Sequence, residues 1–366
     1  MTVETSPCHK TDKDGIMMEK VILGGLSERF FTHYNEITKE YSITAVAKSS
    51  SDKEGGIIGI KDCPVYSFRD IDVNGQERIL IVSLSRIKSI IKELLSLGID
   101  RKRLIIWTPK RCLKDSDYSL TINEDATVSA IINMDGKTVR FSLKEYSDFF
   151  IFEEIYLKNT YHFITNKDCI LFDIGLNIGL ASIFFASKDY VKKIYGFEPF
   201  KPSFDRAVAN IALNDPVIKD KINVYNYGLS DVDRRGCYTY LEGNPGIMRT
   251  EGGSNPARIG DDHAEEAELK EAGTELKKII ESDPNAEYVI KMDCEGAEYT
   301  IIPNLLKHDV LSHIRLIIME THDAREGEIA DLIAGQGFTV YSDRPSSHLT
   351  GKLIALRTAD IKEDDR

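Results

Sequence analysis

Apolar residues follow two patterns along this chain: short continuous runs, and longer stretches in which they recur every three or four positions. The short runs are typical of buried strands and the longer stretches of amphipathic helices. From residue 169 onward the runs predict seven strands, separated mostly by helices: CILFDI, KKIYGFE, INVYNYGLS, YVIKMD, RLIIMET, FTVYS and KLIALRT. This alternation predicts an α/β fold, a mostly parallel, doubly wound sheet with helices on both faces.

The same alternation occurs on a smaller scale near the start of the chain. VILGG and SITAVAK enclose a helical pattern, and RILIVSLS and RLIIW enclose another, IKSIIKELLSLGI. Residues 16–110 are therefore expected to form a smaller Rossmann-like α/β domain. Its GGLSER turn lacks the third glycine of a dinucleotide fingerprint, and the second strand ends in Lys48, Ser49 and Ser50 without an acid. A structural or dimer-forming role is favoured over nucleotide binding.

A connector with a hairpin and a helix is expected in residues 111–165. Asp135 and Gly136 separate two alternating apolar runs, which is the strongest short hairpin signal in the chain. SDFFIFEEIYLKNTYHF predicts an amphipathic helix ending near Tyr161, with Tyr161 and Phe163 as candidate pocket contacts and core packing as the alternative. The predicted segments in order are a flexible N-terminus (1–15), the smaller domain (16–110), the connector (111–165) and the larger domain (166–360).

A glycine-rich segment interrupts the pattern in the larger domain. Residues 242–262 (EGNPGIMRTEGGSNPARIGDD) follow the short strand GCYTYL, and the acidic EEAELKEAGTELKKII after them predicts a helix. A long loop near the strand ends favours a substrate-facing lid, with Arg249 and Arg258 as candidate anion contacts. A solvated loop with two incidental arginines is the alternative.

Charge and apolar content argue against several classes of function. The 366 residues carry a formal net charge of −12, whereas nucleic-acid binding rests on clustered Lys and Arg, so no nucleic-acid partner is expected. No apolar run reaches the roughly 18 residues of a membrane helix, and no signal-peptide core opens the chain, so a cytoplasmic protein is expected. Six cysteines without a CxxC pair fit reduced thiols and give no zinc framework.

The strongest chemical signal is DIGLNIGL, which follows the first strand of the larger domain and leads into the helical ASIFFASK. A glycine-rich turn there lets the backbone approach a ligand closely, and the N–H groups of the helix point to that ligand. Asp173 ends this strand and Glu198 ends the next, where doubly wound folds place an acid against ribose hydroxyls. Because no glycine pattern for a pyrophosphate occurs, S-adenosylmethionine (SAM) fits better than NAD. The expected cofactor-binding residues are Asp173, Gly175, Asn177, Gly179 and Glu198.

Three longer blocks occur in order: DIGLNIGLASIFFA, GFEPFKPSFDRAVANIALN and IKMDCEGAEYTIIPNL, with NYGLSD and IIMETH in support. Together they resemble the FkbM-type methyltransferases, which are class I SAM-dependent enzymes acting mostly on hydroxyl groups. The resemblance covers roughly residues 145–345 and implies a class I methyltransferase fold whose last strand is antiparallel, with SAM as cofactor. It also implies that Ser230 and Asp231 contact adenine, for which turn formation is the alternative.

Acidic residues and a histidine follow the fourth and fifth predicted strands. In KMDCEGAE, Asp293 closes a strand and Glu295 and Glu298 flank a turn, while ETH adds Glu320 and His322. Methyl transfer needs the nucleophile aligned with the sulfonium methyl group, and a hydroxyl nucleophile must also lose its proton. We expect His322 or Glu295 to act as the base, and Asp293 and Glu320 to position the acceptor or the amino group of the cofactor.

Other functions are consistent with parts of the sequence. The same acids and histidine offer ligands to a divalent metal, which is not favoured because no HExxH-like spacing is present. A short-chain dehydrogenase needs a Tyr with a Lys four residues later and a GxGxxG turn, and the sequence has neither. A SAM-binding assembly module without turnover is a further alternative. The expected function is O-methylation of a sugar or carbohydrate-linked hydroxyl, with a small secondary metabolite as the alternative acceptor.

Overall fold

The computed structural model describes residues 18–49, 60, 63–109, 117–163, 165–241, 262–322, 324–344 and 350–357. The predicted N-terminal segment 1–15, Arg249, Arg258 and the rest of the predicted lid except Asp262 lie outside the described residues. The chain divides into two units, one formed by Met1–Ile132 and Ser142–Lys158 and the other by Asn133–Phe141 and Asn159–Arg366.

The first unit contains a five-stranded parallel sheet. Its strands are β1 (Glu19–Gly24), β2 (Tyr41–Lys48), β3 (Val65–Ser67), β4 (Arg78–Ile81) and β5 (Leu104–Ile106), in the spatial order β3-β2-β1-β4-β5. Helices α1 (Glu28–Thr32) and α2 (Tyr34–Glu40) lie between β1 and β2, and α3 (Ile87–Ser96) precedes β5. The order is that of a Rossmann sheet, which confirms the predicted smaller Rossmann-like fold.

A second sheet follows along the chain. It contains β6 (Tyr118–Ile122), β7 (Val128–Met134) and β8 (Lys137–Leu143) in that spatial order. The predicted hairpin is present and joins β7 to β8. Asp135 and Gly136 in its turn have φ values of 50° and 71°, the left-handed pair that a primed two-residue turn needs.

The helix predicted next is shorter than expected. It begins as α4 (Tyr146–Phe152) and continues as a π-helix (Glu153–Leu157). The predicted end near Tyr161 is wrong by about one turn. Asn159 adopts a left-handed φ of 57°, a conformation that commonly terminates helices.

The second unit contains a seven-stranded, mostly parallel sheet, as predicted. Its strands are β9 (Cys169–Ile174), β10 (Val191–Phe197), β11 (Ile222–Tyr225), β15 (Glu287–Met292), β16 (Ile314–Thr321), β17 (Phe338–Asp343) and β18 (Gly351–Arg357). The spatial order is β11-β10-β9-β15-β16-β18-β17, and β18 is antiparallel to both of its neighbours. The antiparallel last strand that the resemblance implied is therefore confirmed.

Six helices accompany this sheet in the described part of the second unit. They are α5 (Leu180–Ala186), α6 (Lys201–Ala212), α7 (Pro216–Lys219), α8 (Ala272–Ser282), α9 (Glu298–Lys307) and α10 (Glu326–Ala334). Large apolar side chains such as Phe172, Tyr288 and Ile317 are buried in the core between helices and sheet. Within the described residues, no helix is both long enough and apolar enough to cross a membrane.

The third strand of the predicted pattern is divided between two sheets. INVYNYGLS was expected to be one strand, but β11 ends at Tyr225 and a separate strand, β12 (Gly228–Ser230), pairs in parallel with β14 (Asp262–Glu271). The side-chain amide of Asn226 donates to the carbonyl of Glu198 at 3.0 Å, so the chain is bound to the end of β10 where it leaves the main sheet.

The segment expected to begin a helix at EEAELKE is instead strand β14, so that prediction is wrong. It pairs antiparallel with β13 (Arg234–Leu241) and completes the small sheet β12-β14-β13. Ala267 and Leu269 are buried, in the alternation of a strand with one face covered. Pairing with strands that are distant in sequence outweighs the helix propensity of Glu, Ala, Leu and Lys, and α8 begins only at Ala272.

Strands β9 and β15 leave no room for a side chain where their carboxyl ends meet. A Cβ atom on Gly175 would lie 1.8 Å from the carbonyl oxygen of Asp293, and the φ of Gly175 is 85°. The amide of Asp293 also donates to the carbonyl of Ile174 at 2.9 Å. Glycine at position 175 therefore allows the turn after β9 to lie directly against the turn after β15.

Gly175→Ala is expected to lower the free energy of unfolding by roughly 3 kcal/mol or more, because a steric clash adds to the cost of a left-handed alanine. Gly136→Ala is the matched control, since its φ of 71° is also left-handed but nothing lies within 4 Å of the added Cβ. The control is expected to lose only about 1 kcal/mol. Urea unfolding followed by circular dichroism measures both, and equal losses would contradict this account of the close approach.

Candidate active site

The turn after β9 is held to the end of β10 by a carboxylate. Glu198 Oε2 accepts a hydrogen bond from the amide of Asn177 at 2.8 Å, and Oε1 accepts one from the amide of Phe200 at 3.0 Å. Asn177 has a left-handed φ of 51°, and Gly179, at 84°, precedes α5. Asn177 Oδ1 is buried and has no hydrogen-bond partner within the described part of the chain. The structure thus brings the predicted turn and Glu198 together.

Burial controls the charge of Glu198. Loss of solvation raises the pKa of its carboxyl group to about 7, although the amides of Phe200 and Asn177 act in the opposite direction. A bound group that donates hydroxyl hydrogen bonds to the carboxylate favours its charged form. Glu198 therefore changes its charge near neutral pH.

Asp173 is fully buried and interacts with groups inside the protein. Its Oδ2 atom accepts a hydrogen bond from Ser182 Oγ at 2.7 Å, and its Oδ1 atom lies 3.0 Å from Lys291 Nζ. Lys291 Nζ in turn donates to the carbonyl oxygen of Gly175 at 2.8 Å. Burial acts to lower the pKa of Lys291, but the carboxylates of Asp173 and Asp293 outweigh burial and raise it. Lys291 is therefore a cation that neutralises Asp173.

Lys291 was not identified by the sequence analysis, although the sequence contains a signal for it. It is the one charged residue inside YVIKM, an apolar run predicted to be a buried strand. A buried lysine requires an opposite charge, and the nearest acid on the adjacent parallel strand is Asp173. In the structure the two residues are direct register partners of β9 and β15.

Asp293, Glu295 and His322 converge at the ends of β15 and β16. One side-chain donor atom of each lies within 4.8 Å of those of the other two. His322 Nε2 and Glu295 Oε2 are 3.5 Å apart, and Glu295 has a left-handed φ of 55°. The structure thus brings together three of the four predicted catalytic residues. Glu320, the fourth, is partly buried on β16 and is outside this group of three.

Glu298 connects the three-residue group to the turn before α9. Its carboxylate is fully buried and accepts hydrogen bonds from His322 Nδ1 at 2.9 Å, from the His322 amide at 2.8 Å and from the Gly296 amide at 2.9 Å. Burial acts to lower the pKa of His322, but Glu298 and Glu295 outweigh it and raise that pKa to about 9. Sequence analysis placed Glu298 beside the turn without assigning it a site role, because its contact with His322 depends on the packing of α9 against β16.

Tyr161 contacts the site from the segment before β9. Its hydroxyl donates to Asp293 Oδ2 at 3.3 Å, and its ring centroid lies 5.7 Å from Lys291 Nζ. The ring also packs against Phe185, with centroids 6.3 Å apart. Phe163 packs against the same Phe185 ring, at 5.9 Å. Tyr161 is therefore hydrogen-bonded to a predicted catalytic residue, whereas the partly buried Phe163 packs against the rings of Phe185 and Tyr190.

Ser230 and Asp231 lie at the end of β12, outside the main sheet. The buried Ser230 hydroxyl donates to Asp231 Oδ1 at 3.1 Å and accepts a hydrogen bond from Arg234 at 2.7 Å. Asn304 donates to the carbonyl of Asp231 at 3.0 Å. These contacts fix the turn after β12, and the carboxylate of Asp231 is exposed to solvent.

The part of the chain that carries these residues is similar in sequence to known methyltransferases. Residues 173–340 match the model of the methyltransferase FkbM domain. The chain is 26% identical over 220 residues to methyltransferase sdnD of Sordaria araneosa, covering 53% of this chain and 83% of that protein. It is 25% identical over 229 residues to the AMB antimetabolite synthetase AmbE of Pseudomonas aeruginosa, covering 52% of this chain. The match spans only 10% of that synthetase.

One solved structure matches this chain over most of its length, at low sequence identity. Methyltransferase FkbM from Methylobacillus flagellatus KT is 11% identical, and the match covers 93% of this chain and 90% of that one, with a TM-score of 0.39.

The buried Asp173–Lys291 pair gives a stability prediction. Lys291→Met is expected to lower the free energy of unfolding by about 3–5 kcal/mol, because it leaves a buried carboxylate without its counter-charge. Asp173→Asn combined with Lys291→Met is expected to recover most of this loss. The exposed pair Lys201–Asp205, 2.6 Å apart, is the control, and Lys201→Met is expected to cost under about 0.5 kcal/mol. A double-mutant cycle by urea unfolding gives the coupling energies, and equal coupling in both pairs would refute the assignment.

Proposed function

We propose that this chain, whose residues 173–340 match the model of the methyltransferase FkbM domain, transfers a methyl group from SAM to a hydroxyl of a sugar or carbohydrate-linked acceptor. The observation that carries the proposal is the position of the three-residue group formed by Asp293, Glu295 and His322. Asp293, Glu295 and His322 stand beside the turn after β9, and the Asp293 backbone packs directly on Gly175 of that turn. A cofactor bound at the turn is thus next to acids and an imidazole that can act on an acceptor.

The cofactor half of the site is assigned to the ends of β9 and β10. Glu198 supplies a carboxylate for the ribose hydroxyls, and the buried Asn177 Oδ1 atom is an acceptor without a partner in the described chain. Gly175 and Gly179 let the turn backbone approach the ligand, because both adopt left-handed φ values. Asp173 acts indirectly, since its charge holds Lys291, whose Nζ atom donates to the Gly175 carbonyl. Asp231 remains the proposed adenine contact.

The acceptor half is assigned to the residues after β15 and β16. Bound SAM supplies an electrophilic methyl group on a sulfonium centre. The acceptor oxygen takes that methyl from sulfur, which keeps the electron pair of the broken bond, and the hydroxyl proton passes to Glu295. At neutral pH Glu295 is the better proton acceptor, because the raised pKa of His322 keeps its ring protonated. Asp293, held by Tyr161, and Glu320 position the acceptor.

A small metabolite is the second candidate acceptor. One relative is named an antimetabolite synthetase, and this chain matches 10% of its length. Glu295 can accept a proton from the hydroxyl of either kind of acceptor. The residues that surround the acceptor therefore determine the specificity for a saccharide or a metabolite.

Isothermal titration of the full chain with SAM, and separately with NAD, tests the cofactor assignment. SAM affinity is expected to rise roughly ten-fold between pH 6 and pH 8, because the ligand binds the ionised form of Glu198, whose pKa is about 7. Glu198→Gln is expected to bind more weakly and without this pH dependence. The exposed Glu328→Gln in α10 is the control and keeps the wild-type profile. Binding of NAD without SAM, or a flat wild-type profile, would contradict the assignment.

Methyl transfer from labelled SAM to a panel of saccharides and hydroxylated metabolites tests the reaction. Glu295→Gln is expected to lower kcat by about 100-fold or more while SAM affinity is unchanged, because a general base contributes about 10²–10⁴ in rate. Asp331→Asn, on the exposed face of α10, is the control and keeps full activity. Unchanged kcat in Glu295→Gln would remove it as the base, and preferential methylation of amines would reject the hydroxyl assignment.

A further inference from the structure

We infer that Asn304, a buried asparagine of α9, fixes the turn after β12 so that Asp231 selects adenine over a base with a carbonyl oxygen in place of the amino group. Asn304 is a positioning residue in this account, because it acts through Asp231 and does not touch the cofactor. The inference rests on the proposed function, in which Asp231 contacts the adenine of SAM.

The side-chain amide of Asn304 joins α9 to three other segments. The residue is 4% exposed. Its Nδ2 atom donates to the carbonyl oxygen of Asp231 at 3.0 Å and to Glu271 Oε1 at 3.2 Å. Its Oδ1 atom accepts a hydrogen bond from the amide of Gly273 at 2.7 Å. One side chain thus holds the turn after β12, the end of β14 and the start of α8 to the same helix.

The partners of Asn304 explain why an amide stands at this position. The Gly273 amide can only donate and the Asp231 carbonyl can only accept, so the residue between them must offer both an acceptor and a donor. Hydrogen bonds from Thr274 and Asn304 lower the pKa of Glu271 to about 2, which keeps that carboxylate charged. An ionised aspartate at 304 would offer no donor and would place a second negative charge beside Glu271.

The turn after β12 is also held on both sides of Asp231. The Ser230 hydroxyl donates to Asp231 Oδ1 at 3.1 Å, and Asp233 Oδ1 accepts a hydrogen bond from the Glu271 amide at 2.7 Å. Asn304 adds the bond to the backbone carbonyl of Asp231 itself. The carboxylate of Asp231 is exposed to solvent, so a fixed turn presents it to a ligand.

A carboxylate distinguishes adenine from hypoxanthine by the exocyclic group of the base. Adenine carries an amino group, which donates a hydrogen bond to the carboxylate, whereas hypoxanthine carries a carbonyl oxygen, which the carboxylate repels. A hydrogen bond to a charged group is strong enough for a preference of about ten-fold or more. This preference requires the carboxylate to lie at the correct distance, so a displaced turn weakens it.

Isothermal titration of the full chain with S-adenosylhomocysteine and with S-inosylhomocysteine tests the inference, since the two ligands differ only in that exocyclic group. The wild type is expected to prefer the adenosyl ligand by about ten-fold or more. Asn304→Asp is expected to reduce the preference to less than about three-fold, because the bond to the Asp231 carbonyl is lost. Asn304→Ser is the milder second variant, with the same expected direction. In an Asp231→Ala background, Asn304→Asp is expected to change the preference no further.

Asn214→Asp is the matched control. Asn214 is also buried, at 3% exposure, and its amide bonds the backbone carbonyl and backbone amide of Arg140, each at 2.8 Å. The control is expected to lose stability and to keep the wild-type preference. Circular dichroism identifies a temperature at which each variant is folded. In Asn304→Ser, kcat at saturating SAM is expected to be unchanged, because Glu298 still holds His322.

The outcomes separate this inference from the proposed function. A wild type that binds neither S-adenosylhomocysteine nor SAM would refute the proposed function itself. Equal binding of the two ligands by the wild type would overturn the inference and leave the methyltransferase assignment intact. An undiminished preference in the folded Asn304 variants, or the same loss of preference in Asn214→Asp, would overturn it in the same way.

Discussion

The buried ion pair of Asp173 and Lys291 is the interaction on which the rest of the site depends. It joins the carboxyl ends of the two central strands, β9 and β15, and Lys291 also holds the carbonyl of Gly175. A buried charge costs several kcal/mol unless it is compensated, so each partner requires the other. Because the pair is internally neutral, it joins the two strand ends without adding net charge to the site.

Most of the fold follows from local patterns, and the exceptions have a common cause. Most strands of both large sheets are short apolar runs whose burial can be recognised without their neighbours, whereas the mostly exposed β3 was not predicted. Strand β14 cannot be recognised in this way, since its Glu, Ala, Leu and Lys residues favour a helix in isolation. Its strand conformation comes from pairing with β12 and β13, and long-range pairing of this kind is not encoded in a single segment.

The position of the candidate site could be predicted from the sequence, whereas the contacts between its side chains could not. Asp293, Glu295 and His322 could be named because the carboxyl ends of adjacent parallel strands meet at one edge of the sheet. The inward direction of Asp173 could not be derived from its place in the DIGLNIGL turn, since it depends on the register that sets Lys291 opposite it. The role of Glu298 likewise depends on how α9 packs, which places one carboxylate against the ring and backbone of His322.

The small sheet β12-β14-β13 has a consequence for how such a protein can be altered. The register of β13 and β14 runs without interruption from Arg234↔Leu269 to Leu241↔Asp262, so Leu241 and Asp262 are paired neighbours at one end of the small sheet. We expect replacement of residues 242–261 with a segment of another length to leave the strand register unchanged. The pairing of Leu241 with Asp262 already fixes the distance between the two ends of that segment. The paired ends of β13 and β14 are therefore a junction at which a segment of different sequence can be inserted between the two strands.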